Sequence, residues 1–387
     1  MMAPPVVSVV GTGLQYPPHK LGPEFVPKLV SNCYTDNVAL LKIIEINERT
    51  KIENRYSVLP SNHPLWFQDH ILTNTECDDL FKKYGIPLAQ DAATQAIEDW
   101  GGNLMDITHV VAMTCTSASS PGFDCTLSRR LGLSKHVRRT LLSGVTCAGS
   151  VAALRTAYDL LRGATQEGKP ARALVIAAET MTVYVRGWLE TIVKESIPNI
   201  GPTLFGDGAC ALVLSNGIGV KEGEREPIWN IHGAQSTLLD RPGCVGIRWM
   251  PSGVMPIISK DVPRMIKSAL PSSFGNLITN SPSLRLEESN FNPSTYDWAL
   301  HPGGAAILTG AEHALGLASH DHLRMSYKCY RSAGNTSSAT VLSILHRLAR
   351  AYREGLSGRS KVIGAAFGAD ITVEMIVLTK PSCELVH

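Results

Sequence analysis

The sequence lacks an excess of charge of either sign. Its 36 lysine and arginine residues nearly balance 34 aspartate and glutamate residues, which gives a formal net charge of +2 over 387 residues. Proteins that bind nucleic acid usually carry a strong basic excess or a basic stripe, so no nucleic-acid partner is expected. An uncharged apolar run of 18 residues is also missing, and a membrane partner is therefore not expected either.

The cysteines lack the spacing that disulfide frameworks and zinc sites require. There are nine of them, an odd number, and no C-x-x-C pair occurs. We therefore expect neither a disulfide scaffold nor a metal site. We also expect a cytoplasmic protein, because cysteines stay reduced in the cytosol. The first apolar run, Val6–Val10, has no basic residue before it. We interpret it as a buried strand with a turn at Gly11–Gly13, and not as a signal peptide.

Apolar residues are abundant, at 44% of the chain, and lie in alternating strand-like and helix-like segments. The predicted strands are Val6–Val10, Thr108–Met113, Ala173–Ala178, Cys210–Leu214, Asp297–Leu300, Lys361–Ala365 and Thr372–Leu378. The predicted helices are Ala89–Trp100, Gly122–Leu131, Ala148–Arg162, Ala305–Ala314 and Thr336–Glu354. This alternation favours an α/β architecture in which helices cover both faces of the sheet.

Two similar segments suggest that the chain contains two related halves. Val145–Leu154 and Gly334–Leu342 are both runs of small residues that open a long helix, and a strand follows each helix. Small residues can also serve only to let two helices pack closely, so the similarity alone does not decide for a duplication. The glycine- and charge-rich stretch Gly217–Pro227 is the predicted boundary between the halves, 1–220 and 221–387.

Cys147 has the local sequence of a reactive cysteine. It follows Thr146, a suitable N-cap, and precedes a predicted helix. The positive end of a helix dipole favours the thiolate, and the small residues Ala148, Gly149 and Ser150 leave space for a substrate. A structural cysteine at a tight helix contact would have the same local sequence.

Two polar residues of the second half could act together with Cys147. His301 ends the strand-like segment Trp298–Leu300 and precedes Pro-Gly-Gly, at a strand end where ligands bind in α/β folds. The alternative for His301 is a satisfied core histidine. Asn335 opens a predicted helix, where it could cap the backbone or direct its amide at a substrate oxygen.

The three residues together support one kind of chemistry. A thiolate beside an imidazole can take an acyl group from a thioester. The imidazole and the amide can then donate hydrogen bonds to a second thioester as it loses carbon dioxide, because they stabilise the enolate that forms. This chemistry predicts no metal and no cofactor apart from the thioester substrates themselves.

These motifs resemble a known family. Thr-Cys147-Ala-Gly, His301-Pro-Gly-Gly and Gly-Asn335-Thr-Ser-Ser, in this order and separation, are similar to the Cys-His-Asn set of chalcone-synthase-like enzymes. The matching segments also include Leu204–Ala209, Lys260–Pro263 and Thr372–Glu374. The resemblance covers nearly the whole chain, and its overall pattern is closest to the fungal branch of the type III polyketide synthases.

The resemblance implies a fold and an activity. The fold would be the five-layer αβαβα thiolase fold with two pseudo-duplicated halves, in a homodimer. Cys147, His301 and Asn335 would be catalytic. Acyl-CoA and malonyl-CoA would be the substrates, reached through a CoA tunnel and joined by iterative decarboxylative condensation.

Several substrate-binding residues follow from the same resemblance. Phe205 matches a gatekeeper phenylalanine, with ordinary core packing as its alternative. Lys42 and Arg49 match two basic positions at the tunnel mouth, where a solvated helix face is the alternative. The third basic position of that set is Glu45, so the CoA contacts are expected to differ. Ser337, in the matched Asn-Thr-Ser-Ser segment, is also expected to contact substrate.

Three departures from the plant pattern affect the pocket. Pro256 replaces a second gatekeeper phenylalanine, and Ser120 replaces a methionine that enters the partner's pocket. The loop around Phe367, a further expected substrate contact, reads Ala-Phe-Gly-Ala-Asp. Because two bulky groups are lost, the sequence predicts a wider or longer pocket. We expect a long-chain fatty acyl-CoA starter and products of the alkylpyrone, alkylresorcinol or alkylresorcylic acid type.

Three other functions are compatible with parts of this pattern. A ketoacyl-ACP synthase III would share the fold and the three residues, but members of that family are usually shorter. A papain-like protease has the same order of Cys, His and Asn, but it predicts a secretory signal and disulfides, which the sequence lacks. A catalytically inactive thiolase-fold binding protein would have no reason to keep all three groups.

Overall fold

Among the residues that the structure describes, nine strands form one mixed sheet and two strand pairs lie apart from it. The structure is a computed structural model and describes residues 6–35, 37–240, 242–284, 288–356 and 358–381. The strands are β1 (Ser8–Gln15), β2 (His19–Leu21), β3 (Arg55–Ser57), β4 (His109–Met113), β5 (Arg138–Leu142), β6 (Arg172–Thr180), β7 (Asp207–Ser215), β8 (Trp229–Leu238), β9 (Val245–Met250), β10 (Gly253–Ile258), β11 (Tyr296–Leu300), β12 (Lys361–Gly368) and β13 (Thr372–Thr379). The large sheet has the order β11-β12-β13-β8-β1-β7-β6-β4-β5, while β9 pairs with β10 and β2 with β3.

Helices surround and divide this sheet. Within the described residues they are α1 (Phe25–Cys33), α2 (Val38–Thr50), α3 (Asn74–Leu80), α4 (Ile86–Trp100), α5 (Phe123–Leu131), α6 (Gly149–Gln166), α7 (Val185–Glu195), α8 (Gly201–Leu204), α9 (Val262–Thr279), α10 (Ala305–Leu315), α11 (Arg324–Ala333) and α12 (Ala339–Arg353). A π-helical turn, Phe81–Gly85, joins α3 to α4, and a 3-10 turn, Thr146–Ala148, precedes α6. No helix in this described part of the chain is both long and apolar enough to cross a membrane.

Four strands in each half of the large sheet have the same arrangement. In the first half, β4 is parallel to β6, while β6 and β7, and β7 and β1, are antiparallel. In the second half, β11 is parallel to β12, while β12 and β13, and β13 and β8, are antiparallel. The halves join where β1 meets β8, through the pairs Ser8–Asn230 and Val9–Trp229. This arrangement supports the predicted pseudo-duplication.

The helices α6 and α12 form a central layer between the two halves. Helix α6 packs on β4 and β6 of the first half and on β8, β12 and β13 of the second, and α12 also contacts strands of both halves. Helix α4 covers the outer face of the first half, whereas α9, with α10 against it, covers the second. The order helix, sheet, helix, sheet, helix is the predicted five-layer αβαβα thiolase fold. The two segments that resemble each other in sequence open the two central helices.

Two details of the sequence prediction are wrong at the first strand and at the last helix. Gly11 and Gly13 do not form a turn but lie inside β1. Helix α4 crosses β1 so closely there that a Cβ atom on either glycine would lie 2.2 or 2.1 Å from a carbonyl oxygen of α4. Helix α12 begins at Ala339 and not at Thr336, because Asn335 and its neighbours form a separate turn.

Candidate active site

Cys147 lies in the 3-10 turn that connects β5 to the central helix α6. The backbone of Thr146, directly before it, has a φ of 55°, a left-handed conformation that costs free energy in a residue with a Cβ atom. The hydroxyl of Thr146 is buried without a hydrogen-bond partner among the described residues. Thr146 therefore does not cap the helix, and that part of the sequence prediction is wrong.

The end of β12 holds this turn in place. A Cβ atom on Gly368 would lie 2.2 Å from the carbonyl oxygen of Val145 and 2.7 Å from the Cβ atom of Ala148. Only glycine lets the second half approach the turn that contains Cys147 this closely without a shift of the backbone. The Ala-Phe-Gly segment of the second half therefore packs against the turn that contains Cys147 in the first half.

Asn335 lies in the turn between α11 and α12 and is fixed by its neighbours on both sides. Its backbone N–H donates to the carbonyl oxygen of Leu204 at 2.9 Å, and its own carbonyl accepts from the N–H of Gly206 at 3.0 Å. Its side-chain oxygen accepts from the backbone N–H of Ser337 at 2.8 Å. Because the oxygen is occupied, the amide NH2 group is the part of the side chain left to donate to another group.

His301 follows β11 and is fixed through its backbone, whose N–H donates to the carbonyl oxygen of Ala365 at 2.8 Å. Its side chain is buried, and Nδ1 has no hydrogen-bond partner among the described residues. Burial lowers the pKa of His301 to about 3, because the interior disfavours the charged imidazolium. The imidazole is therefore neutral at physiological pH.

One cavity of about 450 Å³ brings the three predicted catalytic residues together, since Cys147, His301 and Asn335 all lie in its wall. Its other walls are mainly aliphatic and include Ile200, Leu204, Ile247, Ile257, Val262 and Ile266. A mostly apolar cavity with a few convergent polar groups is the usual form of a small-molecule site.

Burial changes the expected ionisation of Cys147. The thiol lies partly open to the cavity, yet burial raises its pKa to about 12, while hydrogen bonds from Ser337, the local backbone and Asn335 act in the opposite direction. The position of Cys147 at a helix N-terminus, taken alone, favours the thiolate. Desolvation outweighs this effect and favours the neutral thiol.

Most of the predicted substrate-binding residues line the same cavity. Phe205, Pro256, Ser337, Phe367 and Arg49 are all part of its wall. Phe205 is buried against Trp188, with ring centroids 5.7 Å apart. The structure thus places these residues at the cavity, and their contacts with substrate stay predictions.

Lys42 and Ser120 do not line this cavity. Lys42 lines a separate surface recess with Val38, Leu41 and Glu45. Ser120 is exposed, next to a cis peptide bond to Pro121. The sequence match had placed Ser120 opposite the partner's pocket, and its exposure here does not test that prediction.

Comparison with known proteins identifies the fold and the family. The N-terminal domain of the chalcone and stilbene synthases matches residues 11–217, and their C-terminal domain matches residues 231–381. The chain belongs to the chalcone and stilbene synthase family. It is a type III polyketide synthase and thus an acyltransferase of the condensing type. The exact division into halves at residue 220 stays a prediction.

Fungal members of the family are similar over nearly the whole chain. The acylalkylpyrone synthase csyB of Aspergillus oryzae is 46% identical over 376 residues, which is 97% of this chain and 94% of the relative. The type III polyketide synthase pspB of Penicillium soppii is 33% identical, covering 99% of this chain and 98% of the relative. The crystal structure of CsyB complexed with CoA-SH is 45% identical, has a TM-score of 0.95, and matches over 97% of this chain and 100% of that one.

One residue of the cavity wall, Lys260, and one buried residue whose charge raises the pKa of Cys147, Glu179, were missed in the sequence of this polyketide synthase. Glu179 of β6 is fully buried and accepts hydrogen bonds from the backbone N–H of Cys115 and the hydroxyl of Thr116. Burial raises the pKa of Glu179. The only signal for Glu179 in the sequence was its position as an acidic residue at the end of an apolar strand. Lys260, which lines the cavity, stood in a matched motif but was not singled out.

Proposed function

We propose that this enzyme extends a CoA-bound acyl starter with malonyl units and closes the product to an alkylpyrone- or alkylresorcinol-type ring. The observation that carries the proposal is the single apolar cavity whose wall contains Cys147, His301 and Asn335. The similarity to the acylalkylpyrone synthase csyB supports the pyrone-type product.

The first step would load the starter on Cys147. The thiol and the imidazole are both neutral at rest, so the thiol proton passes to His301 as the sulfur attacks the acyl-CoA carbonyl. The bond between the acyl carbon and the CoA sulfur breaks. CoA leaves after it takes up a proton, and the starter stays on Cys147 as a thioester.

The second step would extend the chain. The amide NH2 of Asn335 and the imidazole of His301 donate to the thioester oxygen of malonyl-CoA, and carbon dioxide leaves. The resulting enolate carbon attacks the carbonyl of the Cys147 thioester, whose sulfur departs as the leaving group. The product is a β-ketoacyl-CoA that is two carbons longer and can reload. All bonds are made and broken within the two thioesters, so we propose no resident cofactor.

The shape of the cavity supports an aliphatic starter. Pro256 stands in the wall, and its carbonyl accepts a hydrogen bond from the side chain of Asn199 at 2.7 Å. The proline ring takes less space than a phenylalanine side chain, and the surrounding wall is aliphatic. We therefore propose a long-chain fatty acyl-CoA starter. We further propose a cytoplasmic homodimer in which Ser120 faces the partner's cavity.

Mass spectrometry of the products tests this function. Purified protein would receive malonyl-CoA and acyl-CoA starters of graded length, with Cys147→Ala as the control. Alkylpyrones or alkylresorcinols that disappear in the control are the expected result. A clear preference for short aromatic CoA esters would contradict the proposed starter. Activity with malonyl groups on a carrier protein, but not with malonyl-CoA, would instead indicate a ketoacyl-ACP synthase III.

A further inference from the structure

Three charged side chains of helix α2 form one ion-paired group, which we call the α2 clasp: Lys42, Glu45 and Arg49. The Glu45 carboxylate pairs with Lys42 Nζ at 2.6 Å through Oε2 and with the Arg49 guanidinium through Oε1. The spacings i,i+3 and i,i+4 place all three on one helix face. The helix itself therefore presents the carboxylate between the two cations.

The α2 clasp spans the rim of the catalytic cavity. Arg49 lines the cavity that contains Cys147, whereas Lys42 and Glu45 line the neighbouring surface recess. Pro198 belongs to the walls of both, so the two spaces adjoin. The side chains of the clasp are 49%, 40% and 71% exposed for Lys42, Glu45 and Arg49, and a ligand that protrudes from the cavity can reach them.

A CoA thioester that reacts at Cys147 has its phosphorylated nucleotide at the other end of the molecule. Those phosphates are anionic and would meet the rim, where cations bind them best. In the α2 clasp, however, a carboxylate already occupies both cations and cancels one of their two positive charges. Phosphate oxygens that approach Lys42 or Arg49 therefore compete with Glu45 for their N–H donors and meet its negative charge.

We propose that Glu45 is a specificity-determining residue that competes with the CoA phosphates for Lys42 and Arg49. The inference rests on the proposed function in that CoA thioesters are the substrates. The competition makes the enzyme depend little on the 3′-phosphate of CoA, because the cations that would recognise it are held by the protein. Exposed ion pairs are individually weak, so the clasp lowers affinity for the nucleotide without closing the cavity.

Calorimetric titration with CoA and with 3′-dephospho-CoA tests this role. The variants are Glu45→Gln and, as a matched control, Glu48→Gln on the same helix. Glu48 is exposed and makes no ion pair within the described residues. Both variants remove one negative charge from the same region, so a difference between them reports the clasp and not the net charge.

The wild-type protein is expected to bind the two ligands with similar affinity. Glu45→Gln should bind CoA about threefold to tenfold more tightly, with a smaller gain for 3′-dephospho-CoA. The gain should shrink as salt rises from low to physiological concentration, since both partners are exposed. Glu48→Gln should behave as the wild type does.

Equal CoA affinity in Glu45→Gln, Glu48→Gln and the wild type would overturn the role of Glu45, while the proposed function would stand. Tighter CoA binding by Glu45→Gln in an enzyme that forms no polyketide would support the clasp and overturn only the proposed function. If neither the wild type nor Glu45→Gln bound CoA, both proposals would fail. Because the titration measures binding without turnover, failure of the role of Glu45 and failure of the proposed function can be distinguished.

Discussion

The hydroxyl of Ser337 lies 3.7 Å from the sulfur of Cys147. The same hydroxyl lies 3.7 Å from the sulfur of Cys115, and the backbone of Ser337 has a φ of 50°. This conformation costs free energy in a residue other than glycine and persists only where surrounding contacts enforce it. Here the side-chain oxygen of Asn335 enforces it by accepting from the Ser337 N–H at 2.8 Å. The second half thus places a hydroxyl within hydrogen-bonding distance of Cys147 in the first half.

Removal of this hydroxyl should make Cys147 less reactive. The hydrogen bond from Ser337 lowers the pKa of Cys147, which burial raises to about 12. Ser337→Ala therefore raises that pKa further and lowers the thiolate fraction at any given pH. Alkylation of Cys147 by iodoacetamide should slow by about threefold to tenfold, in line with the net contribution of about 1 kcal/mol that a typical hydrogen bond makes. The pH profile of the alkylation rate provides the measurement.

The shape of that profile distinguishes two resting states. With a thiol pKa of about 12 and an imidazole pKa of about 3, the alkylation rate should keep rising from pH 7 to about pH 10 without a plateau. A plateau near neutral pH would instead reveal a preformed thiolate–imidazolium pair. Cys147→Ala is the control, because the other cysteines also react with iodoacetamide.

Asn335 should act mainly on decarboxylation. Its side-chain oxygen accepts from the N–H of Ser337, so the amide NH2 group is the part of the side chain that can donate to the substrate. Loss of one such donor typically costs about 10²- to 10³-fold in rate. Asn335→Ala, in a Cys147→Ala background, should lower release of carbon dioxide from malonyl-CoA by about this factor. The Cys147→Ala parent should still release carbon dioxide, because both donors are intact in it.

Radiolabelled malonyl-CoA makes that release measurable without any condensation. A Thr340→Val variant is a useful comparison, since the Thr340 hydroxyl lies 3.4 Å from the Asn335 side-chain oxygen but is itself fully buried and away from the cavity wall. Its rate should change far less than that of Asn335→Ala. If Asn335→Ala decarboxylated as fast as its parent, the amide would have only a structural role.

The sequence predicted that Cys147, His301 and Asn335 lie together, and it predicted the duplicated architecture, but not the ionisation of the site. The resemblance of the combined motifs to a known family carried both predictions, because the local sequence of each segment alone left a structural role open. The pKa of Cys147 depends on how much protein surrounds it, which a local sequence does not contain. Thr146 is a plausible cap by residue type, yet its hydroxyl has no hydrogen-bond partner among the described residues, because tertiary packing and not residue type sets the conformation of that turn.

The cavity wall was also only partly predictable. The β9–β10 hairpin supplies Ile247 and Pro256, yet its strands are short and contain a proline, so the pattern did not predict them. The glycines of β1 were interpreted as a turn because no local signal shows that α4 lies against them. Long-range packing decides whether such glycines form a turn or lie inside a strand.

Pro256→Phe should shorten the preferred starter. Pro256 lies in the cavity wall, with its Cγ atom 3.0 Å from the position a Cβ atom on Gly201 would take. A phenylalanine there must extend into the open space, because the wall behind it is closed. The ratio of kcat/KM for long to short acyl-CoA starters should fall by about tenfold or more, as for a few methylene groups excluded from an apolar pocket.

Two comparisons keep that result interpretable. Leu238→Phe adds a ring at a residue that is 70% exposed, and it should leave the ratio unchanged. An unchanged ratio in Pro256→Phe itself would show that the acyl chain occupies another part of the cavity. Loss of all activity with an altered melting temperature would point to disrupted β9–β10 pairing instead.

The last prediction concerns the ion pair that joins the nucleophile helix to the second half. Arg155 of α6 donates from Nε and Nη2 to the carboxylate of Glu374 in β13, at 2.9 and 3.0 Å. The Glu374 side chain is 2% exposed. Arg155→Met leaves this carboxylate buried and unpaired, and it should lower the free energy of unfolding by about 3 kcal/mol. The midpoint of urea denaturation is the measurement.

A double variant separates the charge from the packing. Arg155→Met together with Glu374→Leu removes both charges, and replacement of a buried pair by apolar residues is often close to neutral. The double variant should therefore recover most of the stability that Arg155→Met loses. If it were no more stable than the single variant, the Arg155 side chain would stabilise the α6–β13 contact through its hydrocarbon stem. Because α6 begins two residues after Cys147, the single variant should also lower the rate of Cys147 acylation, and the double variant should restore it in parallel with stability.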